Sequence, residues 1–185
     1  VTIHLIDFVD IERNQYVVTT QYTYRAGATE KRADLVLLVN GIPLVVIEAK
    51  TPVRSSQSWL DGALQVHDDY ERNVPELFVP NVISVATEGK EFRYGSIGLP
   101  VELWGPWRIE SDTSAPSLQR IENGIASMLR PHVLLDVLAN FTAYATDKKK
   151  RRIKIVARYQ QYDGTNKIVE RVVAGHPKKG LIWHF

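Results

Sequence analysis

The sequence contains no cysteine, which excludes disulfides, zinc–thiolate sites and a thiol nucleophile. No apolar run approaches the roughly 18 residues of a membrane span, and no basic-then-apolar leader opens the chain. A soluble, cytoplasmic protein with no membrane partner is expected. Charge of one sign is also scarce. A formal net charge of +2, with 24% charged and 44% apolar residues, excludes both a histone-like polycation and a disordered tail. Any nucleic-acid site must therefore be a local cluster of Lys and Arg. What the composition leaves open is a hard-cation site built from oxygens, on a chain of 185 residues that suffices for one full core.

What is present reads first as strands. Residues 3–9 (IHLIDFV), 16–24 (YVVTTQYTY), 33–40 (ADLVLLVN) and 44–50 (LVVIEAK) are rich in Val, Ile, Thr and Tyr. Glu12-Arg13-Asn14, Ala26-Gly27 and Asn40-Gly41 punctuate them. Ser55 and Ser56 offer an N-cap for a helix over 57–72, with Leu60, Ala63, Leu64 and His67 at helical spacing and Pro75 closing it. Short strands at 81–87 (NVISVAT) and 91–97 (EFRYGSI) make the whole an α/β or α+β sheet. The segment 98–116 reads as a surface loop pinned by Trp104 and Trp107. Helical pattern follows over 117–145, broken at Pro131, with Leu134, Leu135 and Leu138 as an apolar stripe. KKKRR (148–152) reads as a linker or helix end that could also meet DNA phosphates, 159–173 as a last helix, and GLIWHF (180–185) as a final strand.

The run 44–50 ends in Glu48 and Lys50, which alternation places on one face with Val46. Asp34 opens the preceding strand. Register decides whether the two acids meet. A strict two-residue loop at Asn40-Gly41 would set Asp34 against Ile47 and leave Glu48 on the other face; a three-residue loop, with Gly41 in a left-handed bulge position, would pair Asp34 with Val46. In the second case Asp34, Glu48 and Lys50 share a face. Two close carboxylates repel unless a cation sits between them, so Asp34, Glu48 and the Ala49 carbonyl suit Mg²⁺. Lys50 could then orient or deprotonate an attacking water and stabilise phosphoryl charge, which implies metal-assisted phosphodiester hydrolysis. The plainer reading is a salt bridge where strands emerge into solvent. Lys31, Arg32 and Arg54 lie near these residues in sequence and are the phosphate candidates. His67, Asp68 and Asp69 read as tolerated helix residues.

The stretch ADLVLLVNGIPLVVIEAK, with Asp34, Glu48 and Lys50 in place, resembles the D-(x)n-E-x-K core of the PD-(D/E)XK nucleases. More narrowly, NGIPLVVIEAK, VPELFVPN, EFRYG and LWGPW resemble the amino-terminal nuclease domain of type I restriction enzyme R (HsdR) subunits, and ARYQQYDGTNKIVERV resembles the helix preceding a helicase ATP site. The resemblance implies a restriction-endonuclease-like core with a mixed central sheet flanked by helices over residues 1–146, and the truncated start of a RecA-like helicase domain over 147–185. It implies cleavage of double-stranded DNA with Mg²⁺, alongside methylation and specificity subunits, and coupling to ATP in the intact subunit. Arg158 and Gln161 would help read adenine there, but no GxxxxGK[ST] phosphate loop occurs in this sequence. Gln65 and Tyr70 carry over from the QxxxY motif of related nucleases. Here they stand five apart, about 140° around an ideal helix instead of about 40°. Two alternatives remain: a DNA-binding or docking module with the fold but no stand-alone cleavage, and a RecB-like exonuclease module.

Overall fold

The computed structural model describes residues 4–54, 56–107, 117–146, 150 and 152–181. Its five-stranded sheet has the order β1-β2-β3-β4-β5: β1 (Tyr16–Ala26), β2 (Thr29–Val39), β3 (Ile42–Ala49), β4 (Ile83–Thr87) and β5 (Phe92–Gly95). Neighbours are antiparallel except β3 and β4, whose parallel pairing requires a crossover. The crossover is helical, with α1 (Trp59–Leu64), a π-helical turn (Gln65–Tyr70), α2 (Glu71–Asn73) and a 3₁₀ turn (Pro75–Phe78). It covers one face of the sheet. The other face carries α3 (Ser117–Met128) and α4 (Pro131–Asn140), followed by the hairpin β6 (Thr142–Thr146) and β7 (Arg152–Val156) and by α5 (Tyr159–Ala174). A mixed α/β unit of this kind fits a restriction-endonuclease-like core.

Two apolar layers explain why β3 reads as an unbroken hydrophobic run. Val45 and Ile47 pack with Phe92, Met128 and Leu134, while Val46 packs with Val36, Ala63, Val66 and Tyr70. A strand buried on both faces has no polar alternation to show. The crossover helix approaches β3 closely through Gly62, where a Cβ would stand 3.3 Å from the Glu48 carbonyl oxygen.

Several elements differ from the sequence expectation. Within 3–9, residues 4–9 form bends, because Asp7 accepts the N–H groups of Val9 and Asp10, and Asn40 donates to the Leu5 carbonyl. Side-chain capping of the backbone has overridden β-propensity there. The crossover helix starts at Trp59, capped by Ser58 with Asp61 reaching back to its N–H at 2.7 Å. Ser56 is not the cap, and Ser55 lies outside the described residues. Leu60 and Leu64 are exposed, and the buried stripe is Gly62, Ala63, Val66 and Tyr70. The helix expected to reach 145 ends at Asn140, and 142–146 pairs with 152–156 as β6 and β7. The boundary at 146/147 therefore falls inside a hairpin. That hairpin is tied to the sheet by Ser96 Oγ donating to the Lys154 carbonyl (3.1 Å) and Tyr94 O–H donating to that of Ala157 (3.2 Å). Of KKKRR, Lys148, Lys149 and Arg151 lie outside the described residues, as do 182–185 of the expected last strand. Trp104 and Trp107 are both buried, Trp107 against Tyr94, Tyr159 and Tyr162.

Glu71, at the start of α2, is half-buried. Its Oε2 accepts the Gly98 N–H at 2.9 Å, while Oε1 is buried without a partner. Burial holds the carboxyl above its usual range. A carboxyl raised in the folded state costs stability when ionised, and that cost is relieved as pH falls through the raised pKa. The parent should therefore gain stability on acidification that Glu71→Gln does not. In thermal scans from about pH 8 downward, the melting difference between variant and parent is expected to move in the parent's favour.

Candidate active site

The β2–β3 hairpin brings the acids together by a route that differs from both registers considered above. The turn is the two-residue one, Asn40 and Gly41 both having positive φ (51° and 80°) and Val39 pairing with Ile42. The ladder then slips. Leu38 pairs with Pro43 but Leu37 with Val45, so Leu44 is a bulge, and Val36 meets Val46 and Leu35 meets Ile47. The next rung sets Asp34 beside Glu48. The bulge also turns the Leu44 carbonyl toward Val82, whose N–H it accepts at 2.7 Å. Pro43 carried the signal, because a proline in a central strand belongs at its start or beside a bulge.

At the end of β3 the side chains form one network. Lys50 Nζ donates to Glu48 Oε1 (2.9 Å) and to Gln65 Oε1 (2.5 Å). Gln65 Nε2 in turn donates to the Tyr70 hydroxyl. That hydroxyl donates to the Arg32 carbonyl at 2.9 Å and lies 3.4 Å from Glu48 Oε2. Tyr70 thus joins the site despite its spacing. The π-helical turn spans Gln65 to Tyr70, and i→i+5 bonding stacks residues five apart on one side. The extra residue is absorbed by the backbone, and the Gln and Tyr faces coincide.

This account predicts that the extra residue is dispensable. Deleting the exposed Asp68, whose side chain pairs with Arg72 and His67, restores a four-residue spacing on an ordinary α-helix. On the nuclease expectation stated above, the deletion should leave DNA cleavage within about threefold of the parent, as a surface change would. A loss of a hundredfold or more would show that the widened turn itself has a role.

Asp34 is held from both sides. Its Oδ2 accepts the Ala49 N–H (2.9 Å) and its Oδ1 accepts Gln21 Nε2 (3.1 Å) from β1. Nothing in YVVTTQYTY marks Gln21 as a site residue. Glu48 is buried, and desolvation pushes its carboxyl up; Lys50 opposes this and the nearby Asp34 carboxylate adds to it. Burial and the Glu48 charge push the Tyr70 hydroxyl up to about 12, so it stays a donor at neutral pH. A buried carboxyl pushed toward protonation with a second carboxylate beside it is the donor chemistry a hard cation satisfies. Among the described residues no group of three or more His, Cys, Asp or Glu gathers for a metal. The oxygens of Asp34 and Glu48 with a backbone carbonyl, leaving other positions to water, fit Mg²⁺.

Of the remaining expected residues, Lys31 and Arg32 lie on β2 beside this centre, Arg32 through the carbonyl that holds Tyr70. Lys31 is paired with Asp69 of the π-helical turn at 2.7 Å. Arg32 and Arg54 are exposed, Arg54 on the loop between β3 and α1. Arg158 and Gln161 stand at the start of α5, where Gln161 Oε1 accepts the Arg158 backbone N–H at 2.9 Å. That bond caps the helix. Among the described residues no helix is long and apolar enough to cross a membrane.

Residues 1–98 match the family described as type I restriction enzyme R protein N terminus. The chain is 32% identical, over 98% of its length, to the type I restriction enzyme HindI endonuclease subunit of Haemophilus influenzae. It is 33% identical, over 98%, to the putative type I restriction enzyme MjaVIIP endonuclease subunit of Methanocaldococcus jannaschii. It covers only 18% of each of those proteins. The type I restriction enzyme EcoprrI endonuclease subunit of Escherichia coli is 23% identical over 97% of this chain and 56% of that protein.

Proposed function

The chain belongs to the type I restriction enzyme R protein N-terminal family, and from that membership and the site's geometry we propose that it is an endonuclease domain hydrolysing phosphodiester bonds of duplex DNA. The observation that carries the reading is the junction of Asp34 and Glu48 across β2 and β3, with Lys50 held beside them by Gln65 and Tyr70. A surface salt bridge needs no such support. Here the lysine is held at a fixed place, and two of its three N–H groups are spoken for.

Mg²⁺ bound by Asp34, Glu48 and the Ala49 carbonyl would supply Lewis acidity toward a phosphoryl oxygen. The third N–H of Lys50 orients the attacking water or donates to a phosphoryl oxygen as charge builds there. Water adds to phosphorus and gives up a proton to solvent, the P–O bond to the leaving sugar oxygen breaks, and that oxygen takes up a proton from solvent, so that one water is consumed for each bond cut. Gln65 keeps the ammonium from swinging back to solvent, and Tyr70 keeps Gln65 in place. Arg32, whose carbonyl holds Tyr70, and Arg54, on the loop that follows Lys50, are both exposed and suited to the flanking phosphates, whereas Lys31 must first leave Asp69.

The larger assembly is part of the same proposal. An ATP-driven motor in the remainder of the polypeptide would deliver DNA, with Arg158 and Gln161 at its adenine site, and methylation and specificity subunits would select the DNA. The test is plasmid cleavage by the full-length subunit with its partners, ATP and Mg²⁺, beside Asp34→Asn. Double-strand cuts that disappear in the variant and in EDTA are expected. Cutting that persists in Asp34→Asn would sink the proposal.

A further inference from the structure

We propose that Gln21 is a positioning residue for Asp34, orienting its carboxylate for the divalent cation; the inference rests on the nuclease reading above. β1 is a continuous strand of 11 residues, yet at Gln21 its backbone has φ of +52°. The rungs on either side are ordinary, Thr20 with Leu35 and Tyr22 with Ala33. The residue facing the irregularity is Asp34. Among the described residues the other non-glycine positions with positive φ are Asn40 and Lys150, both between the strands of hairpins, where such a conformation is common. Gln21 alone adopts it inside a strand.

A left-handed non-glycine residue is strained and persists where its surroundings return the cost. Packing does not return it, because Gln21 is exposed. What the side chain gains is its bond to Asp34 Oδ1 at 3.1 Å. With Oδ2 already held by the Ala49 N–H, the amide fixes the second oxygen and hence the plane of the carboxylate relative to Glu48. Groups that orient metal ligands in this way commonly govern about 10–100-fold in metal affinity. Gln21 touches neither substrate nor cation, and acts through Asp34.

The variant that separates the roles is Gln21→Gly, which accepts positive φ without strain and removes the amide. Mn²⁺ binding to the full-length subunit, read from the electron paramagnetic resonance signal of free Mn²⁺, is expected to weaken about tenfold. The Mg²⁺ concentration for half-maximal cleavage should rise in step, while KM for DNA stays at the parent value. Parental Mn²⁺ affinity in Gln21→Gly overturns the inference. So does a variant whose only change is a lower melting temperature, which is what a purely structural Gln21 would give. Asp34→Asn run alongside distinguishes the two levels. If it loses Mn²⁺ and cleavage while Gln21→Gly is parental, only the positioning role fails; if it binds and cuts as the parent does, the nuclease reading fails and this inference with it.

Discussion

Lys50→Met is expected to lower DNA cleavage by the full-length subunit by about 10³-fold, the scale on which removing one preorganised donor to developing charge acts. The physical difficulty is that Lys50 also compensates a buried charge. Glu48 is 3% exposed and already pushed toward protonation, so an uncharged residue at 50 leaves that carboxylate without its cation. Breaking such a pair costs about 3–5 kcal/mol, and lost activity alone would not distinguish a catalytic lysine from a structural one. The double variant Lys50→Met/Glu48→Gln does. It contains no buried unpaired charge, and should recover most of the stability lost by the single variant while remaining inactive. For a position-by-position check, Lys50→Arg keeps the charge but presents a planar fork to Glu48 and Gln65. It should be folded and more than about tenfold impaired. Cleavage at the parental rate by Lys50→Met would leave Glu48 and Lys50 as an ion pair with no part in the chemistry.

How far this site could be read in the sequence depended on whether its signals were local. LVVIEAK announces itself because β3 is buried on both faces and a carboxylate and an ammonium interrupt it at its end. The hairpin turn is equally legible, since Asn40-Gly41 is the pair that tolerates positive φ. The register was not, because a bulge at Leu44 moves every later rung by one, and only the proline before it hints at that. The five-residue spacing of Gln65 and Tyr70 is incompatible with a shared face on an ideal α-helix. The resolution is a backbone feature, the π-helical turn, that has no composition of its own. β6 and β7 have no clear sequence pattern because 142–156 is interrupted by charge and its strands bury little, while IHLIDFV reads as a strand but bends because Asp7 and Asn14 cap the backbone locally. Gln21 gave no signal, since backbone strain is a tertiary outcome.

Gly95→Ala is expected to be the most damaging single methyl addition, and its effect should fall on stability and not on chemistry. A Cβ built on Gly95 would stand 2.3 Å from Nε1 of Trp104 and 2.5 Å from Cε2, well inside any van der Waals contact. The indole cannot simply step aside. It is 4% exposed, and its N–H donates to the Leu99 carbonyl at 3.1 Å, which closes the loop after β5. Overpacking of this kind with loss of a buried hydrogen bond sums to about 3 kcal/mol, which for a chain of this size is roughly 6–12 °C in melting temperature. Trp104→Phe, which shortens the ring and gives up the N–H, should be milder and should absorb part of the Gly95→Ala cost, so the double variant is expected to be more stable than the two single effects added. Additive losses would show that the clash is relieved elsewhere, through β5 itself. Gly95 pairs with Ser84 of β4, two rungs from the level of Ala86, which pairs with Glu48. Cleavage per folded molecule should therefore stay near the parent in Gly95→Ala below its melting range, whereas a matching fall would mean that β5 transmits its packing to Asp34, Glu48 and Lys50.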